Sequence, residues 1–479
     1  MTIKCPLFLL LLLAAAIHAP GSSPDQPVRP AVVAHPVPEE FASRRFEATV
    51  NGQRVPVFHA TLNLHFASFD FTGTAEVEVR FTGTNKAAAA DYWRGQAMVR
   101  PLSRGIVPVT RDKVCTFAIK APGQFSVERP GVKDFRDEAL FIFANAPDAI
   151  PPPVAGPNSI VLPPGIHRQD IDLKSGQTLY LSPGAVLFGS IDVWDAEDVR
   201  IAGRGAVVHY GPQALGFDTG YKHQRAWHPL TTHQAKRLSV SGVTFVNRSR
   251  TWSIQMWNTT EARFENIKVI AASDTNINQD GMDWYGGGHT VVRDSFLRTA
   301  DDCFALLNAS SLPFPHSTGS STGEVVDITI ERCVLWPSLA NIFRLGWIGQ
   351  SISTRDITLR DSDIIHFPGG YWLAPNALIH AASVSTPGTA HHRNYLLENL
   401  RFEEPIPLFG INYPDTATLT NFTLRNISIP GPVVPSLFES CTVDGITFDN
   451  VSLDGKVLRG EADFPARCVN AKLEHLRFQ

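Results

Sequence analysis

The sequence predicts an all-β protein in which a small antiparallel β-sandwich domain precedes a right-handed parallel β-helix. Three observations support this prediction: short alternating apolar runs between about residues 40 and 147, a run of prolines after them, and a strand and turn pattern that recurs over the rest of the chain. Long segments with the periodicity of an amphipathic helix are absent from the 479 residues.

The N-terminus has the features of a secretory signal peptide. Lys4 precedes an apolar run at residues 6–17, and small residues and proline follow it. A run of this length is typical of a cleaved signal and is too short to span a bilayer. We therefore predict a signal peptide at residues 1–23, a Pro-rich linker at 24–39, secretion or export to the periplasm, and no membrane association after signal removal.

The composition argues against a nucleic-acid partner and a zinc site. The formal charge is -4, the sequence pI is about 6.5, and the basic residues form no block. The cysteines beyond the signal lack the CxxC spacing of a metal site. Cys441 and Cys468 are the better candidates for a disulfide, and the others are expected in the core. We predict no metal, no cofactor and a monomer.

Period-two alternation defines the first domain, which we place at residues 40–147. Segments such as Phe46–Val50 and Ala75–Phe81 alternate apolar and polar residues between Gly and Asn turns, which is typical of a β-sandwich. The three prolines at 151–153 then interrupt any continuous strand or helix. We therefore predict that the β-helix begins near residue 155 and continues to 479.

One pattern recurs eight times in the β-helix region: a few alternating apolar residues, a turn residue, and a few more alternating residues. The turns are separated by roughly 24 to 39 residues, a spacing that fits the coils of a solenoid. Asn, Asp and Gly at a turn suit the left-handed backbone conformation of a sharp bend. A β-propeller is the main competing fold, but its blades are longer and need hairpin signals that are few here. The eight segments are 238–245, 262–269, 291–297, 328–335, 357–364, 396–402, 422–429 and 446–453.

Three aspartates in this region are the candidate catalytic residues: Asp280, Asp301 and Asp302. Glycosidic hydrolysis needs one protonated and one ionised carboxyl group, and neighbouring acids separate each other's pKa values. The two elements fall one coil apart, where stacked strands are about 4.8 Å apart, so their side chains should converge. The adjacent pair can face the same side only if the backbone bends. The alternative is that all three are turn residues like Asp294.

Aromatic residues near the aspartates are candidates for contact with a sugar. Trp284, Tyr285 and Trp347 lie close in sequence to the acids, and aromatic faces stack on the C–H groups of sugar rings. The same residues suit the stacked core of a β-helix, so this alternative stays open.

The motifs resemble those of the polygalacturonase-like β-helix hydrolases of glycoside hydrolase family 28. The resemblance covers residues 241–247, 278–283 and 301–305 most closely, and the domain order is similar to the dextranase and isopullulanase group of family 49. It implies a pectin-lyase-like solenoid and hydrolysis with inversion, with Asp301 as general acid and Asp280 and Asp302 activating water. It adds Asn278 and Asp283 as substrate-binding candidates. An inverting pair is expected about 6.5 to 9.5 Å apart.

Departures from the family pattern bear on the substrate. The Gly-His-Gly and Arg-Ile-Lys motifs of pectin hydrolases are missing, and Arg344 is the one cation near the corresponding position. Because uronates are held by cations, we predict a secreted inverting glycoside hydrolase of a neutral polysaccharide. The alternatives are a polygalacturonase-type pectin hydrolase and, from another class, a non-catalytic carbohydrate-binding β-helix.

Overall fold

The computed structural model describes most of the chain beyond residue 30. The predicted signal peptide and residues 24–30 of the predicted linker lie outside the described residues. Within the described residues, short 3-10 turns lie at Glu39–Phe41, Leu102–Arg104 and Glu461–Asp463. No helix in the described part of the chain is long and apolar enough to cross a membrane. The described residues are 31–83, 92–93, 95–132, 137–148, 151–210, 227–249, 251–271, 278–307, 323–346, 353–367, 369–372, 374–382 and 390–479.

The N-terminal unit consists of two sheets, named here sheet I and sheet II, with an apolar core between them. Sheet I is antiparallel except where Leu64–Phe71 runs parallel to Ala139–Asn145. Its edge strand Val32–Ala34 lies within the predicted linker, so the ordered unit begins earlier than expected. Sheet I contains Val32–Ala34, Leu64–Phe71, Ala139–Asn145, Gly123–Glu128, Met98–Arg100 and Val57–Thr61, and sheet II contains Gln53–Val55, Phe46–Val50, Ala75–Phe81, Val114–Ile119 and Val109–Arg111.

The rest of the chain coils into a β-helix whose strands form three parallel faces, named A, B and C in the order in which each coil visits them. Face A contains Ser159–Leu162, Thr178–Leu181, Arg200–Gly203, Ser239–Ser241, Arg263–Glu265, Val325–Glu331, Thr354–Arg360, His391–Glu398, Lys472–Glu474 and Arg477–Phe478. Face B contains Gly165–Arg168, Ala185–Phe188, Ala206–His209, Thr244–Asn247, Lys268–Ala271, Phe296–Thr299, Val334–Pro337, Asp363–Ile364 and Arg401–Phe402. Face C contains Ile171–Leu173, Ile191–Trp194, Leu230–His233, Ile254–Thr260, Phe304–Leu307, Phe343–Leu345, Ile379–Ala382 and Ala466–Val469.

Some strands continue around a corner from one face to the next. Met282–Arg293 runs from face C to face A, and Phe409–Ile429 and Ser436–Leu453 run through faces C, A and B. Lys456–Val457 pairs antiparallel with the end of the last of these. A separate hairpin joins Tyr371–Trp372 and Ala374–Pro375.

The turn between faces A and B confirms the predicted role of the repeated turn residues. All eight central residues have positive φ, from 51° at Asn426 to 79° at Gly242. Asparagines at this turn also bond to one another along the stack: Asn450 donates to Asn426 (3.0 Å), and Asn426 donates to Asn399 (3.0 Å). The apolar residues on either side of each turn point into one continuous core inside the coils.

The two units share an apolar interface between sheet I and face B. Phe141 on sheet I packs against Phe296 and Trp336, with ring centroids 4.9 and 6.1 Å apart. Cys441 and Cys468 carry free thiols, and so do the other cysteines of the described residues. The suggested disulfide is therefore not formed in this structure.

Candidate active site

The β-helix brings Asp280 and Asp302 to the same position on successive coils. Each lies two residues before a face C strand, and the first residues of those strands, Met282 and Phe304, are in register. The backbone N–H of Gly281 donates to Asp302 O at 2.9 Å. The two aspartates therefore stack at the bend that leads from face B into face C, one coil apart as predicted.

Asp301 joins this pair because the chain bends at residues 300 and 301. One carboxylate oxygen from each of Asp280, Asp301 and Asp302 lies within 4.8 Å of the others. This distance joins one selected oxygen of each residue, whereas the roughly 6.5 to 9.5 Å expected of an inverting pair is the separation between the carboxyl groups. The expected separation between the acid and base carboxyl groups stays a prediction.

The three carboxyl groups differ in their electrostatic surroundings. Burial and the other aspartates raise the pKa values of Asp280 and Asp301 well above the ordinary range, although Arg344 opposes the rise. Burial also raises the pKa of Asp302, but Arg344 and two hydrogen bonds from Asn341 limit this increase. Asp302 is therefore the carboxyl group whose ionised form is best supported, and Asp301 retains a proton to higher pH.

Asn341 is a residue of the site that the sequence analysis missed. Its backbone N–H and its Nδ2 donate to Asp302 Oδ1 at 2.9 and 2.6 Å, and its Oδ1 accepts from Ala377 N at 2.9 Å. It occupies the same position on the next coil, two residues before Phe343. A signal was present in the sequence, since Asp280, Asp302 and Asn341 each precede by two residues an apolar residue that starts a face C strand.

A buried polar network holds the segment that carries Asp280. Gln279 Nε2 donates to the backbone oxygens of Asn247 (3.0 Å) and Ser249 (2.7 Å). Ser253 on the preceding coil donates its N–H and its hydroxyl to Asp280 O, at 3.0 and 2.8 Å. These bonds fix the backbone on both sides of the carboxyl group, so its position is set by the scaffold.

The residues after Asp280 alternate between the inside and the outside of face C. Trp284 points into the core, where its ring lies 6.2 Å from that of Phe304, and this placement argues against its predicted contact with substrate. Tyr285 points outward, but it is fully buried. One face of its ring is covered by Trp257, with ring centroids 4.3 Å apart and an angle of 8° between the ring planes. Asp283 also points outward, is fully buried beside Asp280, and has a pKa raised well above normal by burial and by Asp302.

The remaining predicted substrate-binding residues have mixed placements. Arg344 lies on face C two coils beyond Asp283, and its Nη1 lies 2.9 Å from Nδ1 of His380. Its Nε donates to Gly346 O at 3.1 Å. Asn278 is half-buried just before the acid-bearing segment, and Trp347 lies outside the described residues.

The grouping of three carboxylate oxygens allows two kinds of chemistry. Acids in unequal surroundings suit proton transfer and the activation of water. Three oxygens at this separation are also compatible with a divalent cation, so the absence of a metal stays a prediction.

Fold and site together define a parallel β-helix protein with a carboxyl cluster at the entrance to one face. No family model and no curated protein matches this sequence. Among solved structures, the chain is similar to Dex49A from Penicillium minioluteum, with a TM-score of 0.65 and 15% identity over 90% of this chain and 94% of that chain. This similarity confirms the predicted fold class, a right-handed parallel β-helix preceded by an antiparallel domain.

Two further structures are more distant in shape. One is a family 28 exopolygalacturonase from Yersinia enterocolitica, with a TM-score of 0.43 and 12% identity over 93% of this chain and 96% of that chain. The other is PfbA, a surface adhesin of Streptococcus pneumoniae, with a TM-score of 0.35 and 10% identity over 67% of this chain and 84% of that chain.

Proposed function

We propose that the protein is a secreted glycoside hydrolase that cleaves O-glycosidic bonds in a polysaccharide. The observation that carries this proposal is the cluster of Asp280, Asp301 and Asp302, which are close together but differ in exposure and in pKa. Groups with separated pKa values provide the acid and the base of such a reaction. The fold shared with Dex49A and the motif resemblance to family 28 support the same class.

The surroundings of the acids support distinct roles. Asp301 is half-buried and retains its proton, so it serves as the general acid that protonates the leaving oxygen. Arg344 and Asn341 favour the ionised form of Asp302, so it accepts a proton from the attacking water, which Asp280 helps to hold. Direct attack by that water inverts the anomeric configuration.

The short distance between the carboxylate oxygens makes the stereochemistry a critical measurement. NMR of the first product formed distinguishes inversion from retention before mutarotation. An initial product with the opposite anomeric configuration supports the assigned roles, whereas retention requires that Asp280 or Asp302 is a nucleophile.

The position of Arg344 supports a neutral glycan as substrate. Its guanidinium group is engaged by Gly346 O and His380, and its charge acts on the aspartates. It is therefore committed to the acids rather than to a uronate carboxylate. A polygalacturonase-type activity is the alternative, and it predicts release from polygalacturonate instead of from dextran or pullulan.

The test is the release of reducing ends from a panel of neutral and acidic polysaccharides by wild type and Asp301→Asn. We expect the rate of the variant to be about 10²- to 10⁴-fold lower than that of the wild type, which is the usual contribution of a positioned acid, and its thermal unfolding to be unchanged. Asp294→Asn is a matched control, because Asp294 is a turn residue of the same coil that pairs with Arg332 at 2.8 Å. Its activity should stay at the wild-type level.

Other outcomes have defined meanings. Full turnover by Asp301→Asn contradicts the assignment of the acid. Glycan binding without any release by the wild type indicates the non-catalytic alternative. Loss of activity after chelation, with recovery on adding calcium, indicates that the carboxyl cluster holds a cation.

A further inference from the structure

A buried histidine lies one coil beyond Arg344 on the outer side of face C. His380 and Arg344 are in register on neighbouring strands. Ile379 and Ala381, on either side of His380, point into the core, so the imidazole ring points outward beside the guanidinium group. Both side chains are nevertheless buried, with exposed fractions of 0% for His380 and 6% for Arg344. Nδ1 of His380 lies 2.9 Å from Nη1 of Arg344.

The chemistry of the two groups fixes the direction of this hydrogen bond. A guanidinium group carries only donors and does not lose its proton in proteins. Nδ1 of His380 is therefore the acceptor, and the ring is neutral with its proton on Nε2. A protonated ring would instead turn an N–H group and a second positive charge towards Arg344. The contact thus selects one protonation state and one tautomer of His380.

Arg344 is held at two of its nitrogens. Nη1 donates to His380, and Nε donates to the backbone oxygen of Gly346 at 3.1 Å. Because the guanidinium group is planar, bonds to two of its nitrogens fix its orientation as well as its position. Ala305, the residue in register on the preceding coil, has no polar side-chain atom and does not hold the group from that side. Of the two neighbours in register, His380 thus supplies the anchor.

The place of Arg344 matters because its charge acts on the acids. It favours the ionised form of Asp302 and opposes the rise in the pKa values of Asp280 and Asp301. Coulomb interactions weaken with distance, so a guanidinium group that moved away would support the ionised form less well. An anchor that is itself neutral holds this charge without cancelling it, whereas a carboxylate in the same place would offset it. A neutral imidazole meets this requirement.

We propose that His380 is a positioning residue, which accepts a hydrogen bond at Nδ1 and thereby holds the charge of Arg344 beside the carboxyl cluster. It acts through Arg344 and takes no part in the proton transfers themselves. The proposal rests on the proposed function, because the position of Arg344 affects turnover only if the acids carry out the hydrolysis.

Three substitutions of His380 separate the hydrogen bond from packing and from charge. His380→Ala removes the acceptor and should lower kcat about 10- to 100-fold with little change in KM, because Arg344 acts on the acids in the chemical step. His380→Asn also loses packing, but it places its Oδ1 near the position of Nδ1 and should keep kcat within about threefold of the wild type. His380→Asp has the same shape as His380→Asn and carries a charge that pairs with Arg344, so its kcat should fall like that of His380→Ala.

His392→Ala is the matched control, and Tm is measured for every variant. His392 is also fully buried and its Nδ1 lies 2.9 Å from Oγ1 of Thr354, but it belongs to a strand of face A. The Tm of this control should fall while its kcat stays at the wild-type level. An equal loss of kcat in His380→Asn and His380→Ala overturns the proposal, since the packing of the ring is then what matters. Full turnover by His380→Ala overturns it as well.

The contact itself is tested without turnover by a long-range ¹H–¹⁵N NMR spectrum of the full chain labelled at the histidine ring nitrogens. His380→Asn assigns the signals of His380 by their loss. At about pH 7.5, where imidazole groups are mostly neutral, we expect the proton of His380 on Nε2. A proton on Nδ1 overturns the proposal whether or not the protein is an enzyme. Absence of turnover by the wild type on every glycan contradicts the proposed function instead, and the NMR spectrum then decides the contact by itself.

Discussion

Replacing Asn341 with alanine tests how the site keeps one carboxyl group ionised. The substitution removes the Nδ2 donor 2.6 Å from Asp302 and leaves the backbone donor at 2.9 Å. A hydrogen bond to a charged group contributes about 1.5 to 3 kcal/mol. Since about 1.36 kcal/mol corresponds to one pKa unit, the pKa of Asp302 should rise by about one to two units.

The consequence for activity follows from the role of Asp302 as base. A protonated Asp302 is inactive, so the acidic limb of the pH dependence of kcat/KM should move upward by the same one to two units. At a pH below that limb the variant should be about 10- to 100-fold slower than wild type. The difference should decrease as the pH rises and Asp302 ionises again.

The assay is the pH dependence of reducing-end release, with thermal unfolding measured in parallel. The unfolding measurement is needed because the Asn341→Ala variant also leaves the backbone N–H of Ala377 without its acceptor. This loss should lower the free energy of unfolding by about 1 to 3 kcal/mol. Asn426→Gly is the control, since it removes two ladder bonds of 3.0 Å and retains the positive φ of 51° away from the acids. An unchanged acidic limb in a destabilised Asn341→Ala would show that Asn341 is only structural and would refute the reasoning.

Two further predictions concern the contact between the units. His366 lies between Glu128 and Glu404, at 2.8 and 2.9 Å; burial lowers its pKa, but the two carboxylates outweigh this effect and raise it above 6.5. The stabilisation from protonated His366 is fully present below pH 6.5 and is lost as the pH rises through the raised pKa. The Tm of the wild type should therefore fall over this pH range, whereas the Tm of His366→Phe should show no such step. Equal dependence of Tm on pH in the two proteins contradicts this prediction. Phe141→Ala, which removes the ring 4.9 Å from Phe296, should lower the unfolding free energy by about 3 to 5 kcal/mol in urea denaturation, and an unchanged midpoint contradicts the assigned interface.

The coil arrangement was predictable from the sequence because one physical constraint recurs at each turn. A bend between faces A and B needs a residue with positive φ, and Asn266, Asp361 and Asn399 are residue types that tolerate it. Arg332 has the same conformation with φ of 52°, although its type gives no such signal. Its position was recoverable only because the apolar residues around it repeat the pattern of the other coils.

The placement of side chains at the site was less predictable. The sequence makes both Trp284 and Tyr285 aromatic candidates, but adjacent strand residues face opposite sides, so one of the two enters the core. Asp301 and Asp302 were predictable as a pair that requires a bend. Asn341 was missed because its relation to Asp302 depends on the register between coils, and a long segment separates the two in sequence.

The scaffold explains both the closeness of the acids and the difference between them. Stacked coils place equivalent side chains about 4.8 Å apart, so any two acids at the same position of successive coils must repel each other. Protonation of one group relieves that repulsion, and the third coil determines which group remains charged. At this position the three coils carry Asp280, Asp302 and Asn341, and Asn341 donates to Asp302 from its backbone N–H and from its side-chain amide. The amide residue on the third coil thus stabilises the negative charge on Asp302. A carboxyl group in place of Asn341 would instead add a further negative charge that repels it.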